Sequence, residues 1–211
     1  MSESLQQMVQ IPMEVANKDR YMHARVHLYN AYDGVSLRGV VYEMHCLISF
    51  SLVAGCIQAD PRVAYRVRYD DDDDDGDYLC QYFYQDEIEA SLDHESSLGY
   101  SYHHRSELSQ QAETFFDAVP ILVRIEPAVA AEDAHMHAPV RFLDVFGAWC
   151  EGVVEKLYVH IAFEQTMGNI KTNSCVFYCV PYDDDGEENW CDFELEQLQD
   201  VLEEMKSDDA C

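Results

Sequence analysis

Apolar and polar residues alternate with a period of two in several stretches of the chain, and each stretch occurs twice. Met44, Cys46, Ile48, Phe50 and Leu52 alternate with their neighbours, and Leu157, Val159, Ile161 and Phe163 repeat the pattern. Val63, Tyr65, Val67 and Tyr69 are matched by Val176, Tyr178, Val180 and Tyr182, and Val26 and Leu28 by Val140 and Phe142. A period of two sends successive side chains to opposite faces, so these stretches predict strands with one buried face. Residues 55–61 and 168–173 read as the turns between the two longest strands. A last short strand carries Cys80, Tyr82 and Tyr84, or Cys191, Phe193 and Leu195. Residues 88–92 and 198–205 read as short helices covering an open end.

The matched order is an internal duplication. Met22-His23-Ala24 and Val26 align with Met136-His137-Ala138 and Val140. After one dropped residue, Gly39-Val40-Val41 aligns with Gly152-Val153-Val154. Ile48, Phe50, Gly55 and Ile57 then meet Ile161, Phe163, Gly168 and Ile170 without a gap. Asp70-Asp71-Asp72 meets Asp183-Asp184-Asp185, and a two-residue gap brings Cys80 onto Cys191. The organisation read from this is a polar lead at 1–20, repeat 1 at 21–92, a linker at 93–134, repeat 2 at 135–205 and a tail at 206–211. Within the linker, residues 106–119 predict a helix with Ser106 as its cap and Pro120 as its stop. Residues 121–125 can add a strand, and 127–133 read as plain connection.

Charge narrows the function classes. The 211 residues include 41 acidic against 13 basic side chains, a formal net charge of −28, while 48% are apolar. So acidic a chain repels nucleic acid and anionic membranes, which leaves Lys/Arg-rich protein segments as the natural partners. The longest apolar run, at 46–55, is interrupted by Ser49 and Ser51 and is too short for a membrane span. Residues 1–18 show no basic segment followed by an apolar stretch. The eight cysteines are therefore expected as reduced thiols. No phosphate-cradling Gly-Lys loop, dinucleotide fingerprint or nucleophile elbow is present, and no metal or cofactor is expected. The run at 70–75 lacks the alternating spacing of a calcium loop and reads as a solvated turn.

The repeat resembles the Tudor-like modules of chromatin proteins. The residues that carry the resemblance in the second copy are Phe146-Gly147-Ala148-Trp149-Cys150-Glu151-Gly152-Val153-Val154, followed by Tyr178-Cys179-Val180-Pro181-Tyr182 and Asp183-Asp184-Asp185-Gly186. The first copy shows Tyr65-Arg66-Val67-Arg68-Tyr69 and a longer Asp run ending at Gly76. The fold this implies is mainly β with short helices: two tandem SH3-like, Tudor-like small barrels with a helical linker. One departure stands out, because Gly152 to Tyr178 is too long for the short hairpin of the family. The resemblance also implies a cage for methylated lysine. Its positions would be Phe142 or Trp149, Tyr182, Asp184 and Trp190 in the second copy, and Tyr29 or Tyr32, Tyr69, Asp71 and Tyr78 in the first. Aromatic faces attract a methylated ammonium by cation–π interaction, and a carboxylate adds charge complementarity.

The expected function is that of a non-enzymatic binding protein engaging basic protein segments such as histone tails, with a nuclear location implied by the resemblance and a cytoplasmic one as the alternative. A mimic of DNA that inhibits a DNA-binding protein, or a structural subunit of a larger assembly, are the rival readings. A reader needs an aromatic pocket beside each acidic turn, and a mimic needs a long acidic stripe and no pocket.

Overall fold

Alternation does produce strands, and they are longer than the sequence pattern alone suggests. In this computed structural model, residues 6–30, 35–70, 81–97, 120–144, 146–184 and 186–208 are described. The first repeat comprises β1 (Gln6–Gln10), α1 (Met13–Ala16), β2 (Arg25–Asn30), β3 (Val35–Val53), β4 (Cys56–Tyr69), β5 (Gln81–Phe83) and α2 (Gln85–Ser97). The second comprises β6 (Ile121–Arg124), α3 (Pro127–Ala130), β7 (Pro139–Leu143), β8 (Trp149–Val153), β9 (Lys156–Thr166), β10 (Asn169–Asp184), β11 (Glu187–Glu194) and α4 (Leu195–Asp208). The fold is mainly β with an α+β element set. All pairings are antiparallel, in the orders β1-β3-β4-β5 with β2 on β3, β11-β10-β9-β6, and β7-β8. These sheets are open and do not close into barrels. Among the described residues no helix is long and apolar enough to cross a membrane.

Side by side, the two halves extend the duplication upstream of its sequence boundary. The segments at 6–20 and 121–134, read as lead and linker, form the same strand and short helix in each half. Ile11, Val15, Ala16 and Asp19 are buried in one, and Ile125, Val129, Ala130 and Asp133 in the other. The expected linker helix at 106–119 lies outside the described residues. Downstream, the register corrects the alignment. Tyr65 pairs with Phe83 and Tyr178 with Phe193, so Phe83 is the counterpart of Phe193 and Cys191 matches Gln81 rather than Cys80. Tyr82 on β5 and Tyr84 just beyond it are exposed.

Two glycines let the strands bend tightly. A Cβ on Gly39 would collide with the Arg68 carbonyl and the Val67 side chain, and one on Gly152 with the Pro181 carbonyl and Val180. Only a residue without a side chain allows this approach. The turns expected at 55–61 and 168–173 are only two residues long. Val53 pairs with Cys56 across Ala54-Gly55 and Thr166 with Asn169 across Met167-Gly168, all four turn residues having positive φ. That is the twist-compatible hairpin turn with positive φ at both central positions. The strand therefore runs straight through Pro61, which faces Ile48 at a level where β5 does not extend alongside. A proline missing its N–H is tolerated there.

The extra length between Gly152 and Tyr178 is thus a long hairpin, and each hairpin tip is held by the other repeat. Asp19 of repeat 1 accepts hydrogen bonds from the Ile170 amide (2.8 Å), the Tyr21 amide (2.8 Å) and the Tyr65 hydroxyl (3.1 Å). Asp133 of repeat 2 accepts from the Ile57 amide (2.7 Å), the His135 amide (2.8 Å) and the Tyr178 hydroxyl (3.0 Å). The Arg20 amide donates to the Gly168 carbonyl (2.7 Å) and the Ala134 amide to the Gly55 carbonyl (2.8 Å). Thr172 and Ser174 of β10 donate side-chain bonds to the Pro61 and Ala59 carbonyls of β4. Buried side chains of both repeats form one continuous core.

Candidate functional site

The β7–β8 hairpin alternates cleanly: Val140, Phe142 and Cys150 are buried, while Arg141, Leu143, Trp149, Glu151 and Val153 face outward. The turn joining the two strands is built by Asp144. Its Oδ1 accepts from the amides of Phe146 (2.9 Å) and Ala148 (2.8 Å), and its own amide donates to the Ala148 carbonyl (2.9 Å). Gly147 supplies the positive φ that closes the turn. In this setting Trp149 is 59% exposed and carries the Arg141 guanidinium 4.8 Å from its ring centroid. Arg141 also reaches Glu151 at 3.7 Å.

Trp190 sits on β11, opposite Pro181, and is 41% exposed. The Lys156 ammonium lies 3.7 Å from the centroid of its ring. The nearby acidic turn is formed as expected, with Asp184 pairing with Glu187 and Asp183 Oδ1 accepting from the Gly186 amide (2.8 Å). Asp183, Glu187 and Glu188 are exposed. Both tryptophans of the chain therefore already hold a cation from the chain itself. That is the contact an aromatic face makes with a Lys or Arg of a partner.

The other expected cage positions are placed differently. Phe142 lies in the core, edge-on to Tyr182 (5.4 Å) and Phe193 (5.2 Å), so its ring offers no ligand surface. Tyr182 is half-buried on the same cluster. Tyr69 is buried, its hydroxyl donating to Gln81 Oε1 (3.0 Å). Tyr29 lies on β2 opposite Ser36, and Asp184 at the end of β10; the side chains of both lie outside the described residues, as do Asp71, Tyr78 and Tyr32 altogether. Among the described residues no ring contact joins Trp149 to Trp190 or to another aromatic. The structure thus presents two separate cation-stacked rings, and does not gather three rings about one point. Sequence reasoning missed Arg141 and Lys156, the cations on the two rings, because their role depends on strand register.

In repeat 1 the matching surface is basic. Arg66 pairs with Glu43 at 3.0 Å and stacks over Tyr42 (5.5 Å) and Tyr82 (5.9 Å), and Arg68 also covers Tyr42 (5.9 Å).

A further polar cluster lies where the repeats meet. His135 Nδ1 is 3.3 Å from Asp133 Oδ1 and 3.8 Å from Cys56 Sγ. One ring nitrogen faces both groups, whereas a nucleophile–base–orienter relay needs one nitrogen for each. Burial, and then the Asp133 carboxylate, push the Cys56 thiol up, which weakens it as a nucleophile. Burial likewise pushes Cys46 and Cys179 up to about 12. No group of three or more His, Cys, Asp or Glu among the described residues converges as a metal site.

No protein-family model, curated protein or solved structure matches this chain.

Proposed function

We propose that the protein is a non-enzymatic binding protein that engages Lys/Arg-rich segments of other proteins through its second repeat. The observation that supports this most directly is the pair of exposed tryptophans, each already stacked by a cation, on an acidic molecule. A ring that attracts Arg141 or Lys156 attracts an equivalent side chain from a partner. The surrounding carboxylates draw the partner in and make its binding fall with salt. On this reading each repeat is a diverged, opened Tudor-like module, and histone tails are among the segments it would engage in the nucleus.

Titration of the full chain with histone tail peptides, unmodified and trimethylated on lysine, at low and moderate salt tests the reading. Binding at low salt that weakens with salt, and is reduced roughly tenfold by Trp149→Ala or Trp190→Ala, is the expected result. A methylation preference would extend the reading to methyl-lysine. Binding indifferent to both tryptophans would leave charge alone, as in a DNA mimic, and no binding at low salt would remove the histone-tail proposal.

A further inference from the structure

Among the described residues, the outward face of the β7–β8 hairpin stays exposed. Pairing in register sets Leu143 beside Trp149, Arg141 beside Glu151 and Pro139 beside Val153. Leu143 is 53% exposed, and Phe146, at the turn, 89%. The face therefore reads, from the turn inward, as the apolar pair Leu143 and Trp149, then an ion pair, then the smaller apolar pair Pro139 and Val153, with Phe146 exposed at the adjoining turn. Asp144 holds the turn in place before any partner arrives, which lowers the ordering cost of binding. Exposed apolar side chains gathered in one patch and rimmed by polar ones mark interaction surfaces.

Repeat 1 carries other residue types at the register-matched positions. Ser36 stands where repeat 2 has Trp149, Arg38 where it has Glu151, and His27 where it has Arg141. The two repeats share the strand register, so the pairing does not require these residue types.

Resting on the reading of basic-segment binding, we infer that this face docks one extended Lys/Arg-rich segment carrying an aliphatic side chain beside a basic one. The aliphatic side chain lies over Leu143, Phe146 and Trp149. The basic one takes the place of Arg141 against Glu151. Charge selects this occupant over a second copy of the chain, because a copy brings the same net charge of −28 and the same Asp144 and Glu151 to the contact. In register, the Trp149, Glu151 and Arg141 positions are occupied by other residue types in repeat 1, and the preference for an aliphatic side chain is therefore assigned to repeat 2.

The test uses the full chain and two synthetic peptides of equal length and charge, one alternating arginine with leucine and one alternating arginine with glycine. Calorimetric titration at moderate salt reads the two affinities. The leucine peptide is expected to bind about tenfold more tightly or better. The double variant Leu143→Ser, Phe146→Ser is expected to erase that preference and leave glycine-peptide binding unchanged. Both residues are exposed, and an unaltered melting curve confirms that the variant folds. Glu151→Gln is expected to weaken both peptides. Equal affinity for the two peptides, or a preference that survives the double variant, would overturn the inference. So would self-association in sedimentation that the double variant abolishes, since the face would then belong to a second copy. The glycine peptide separates the two levels. If it binds and leucine adds nothing, only this inference fails; if neither peptide binds at low salt, the basic-segment reading fails with it.

Discussion

Asp19 ties three segments of the molecule together. It is fully buried, and its two oxygens accept three hydrogen bonds, one of them from the opposite repeat. Asp19→Asn replaces an acceptor with a donor aimed at other donors. The expected loss is about 2–4 kcal/mol by chemical denaturation. Burial raises the Asp19 carboxyl above its ordinary value, and the three hydrogen bonds and Arg20 only partly offset this. The folded state then holds the proton more tightly than the unfolded state. The stability this group contributes is full below the unfolded carboxyl value and is lost as pH rises through the folded one. The gap between wild type and Asp19→Asn is therefore expected to be larger at acid pH than at neutral pH, a comparison that denaturation midpoints at the two pH values make directly. The thiols give a second residue-scale expectation. Cys46 and Cys179 are buried and held up to about 12, so in folded protein at mildly alkaline pH they should resist alkylation that is complete once the chain is unfolded. Peptide mapping after labelling reads this out, and rapid modification of either thiol would contradict the packing.

At the scale of elements, the hairpin turns are strained in a removable way. Ala54 and Met167 occupy the left-handed region with φ near +50°, where a side chain with a plain Cβ is disfavoured. Ala54 is exposed and Met167 is 88% exposed. Replacing either by Asn, which tolerates that region and suits this turn, is expected to stabilise the protein by about 0.5–1 kcal/mol. Melting of the single variants checks it, and unchanged or lower midpoints would count against the turn geometry. The bent strands behave oppositely. Gly152→Ala drives a methyl into the Pro181 backbone, which has no flexible end to move aside, so a large loss of stability is expected.

At the scale of the whole molecule, the exchanged hairpin tips make the two repeats one unit. Both tryptophans lie in repeat 2, at 149 and 190, while Asp19 lies in repeat 1. If the repeats unfold together, Asp19→Asn lowers the midpoint reported by tryptophan fluorescence as much as the midpoint reported by circular dichroism. Separate transitions, with the tryptophan signal unmoved, would show that the reciprocal contacts do not couple the halves.

The strands, their buried faces and the duplication were legible in the sequence, because a period of two and repeated spacings are local properties. Val159, Ile161 and Phe163 are buried as the alternation requires. The acidic turn at 183–186 was also legible, since Asp and Gly favour that conformation wherever they occur. Other features depended on pairing between residues far apart in the chain. The upstream start of each repeat rests on Asp19 and Asp133, whose partners lie 151 and 76 residues away. The hairpin tips bond to the opposite repeat, a pairing no local pattern encodes. The site divides in the same way. Trp149 and Trp190 could be singled out as the two tryptophans of the chain, both at cage positions the resemblance implies. Whether their rings stand open, gather into a cage or hold a cation was decided only by register, which sets Arg141 over one and Lys156 over the other and turns Phe142 into the core.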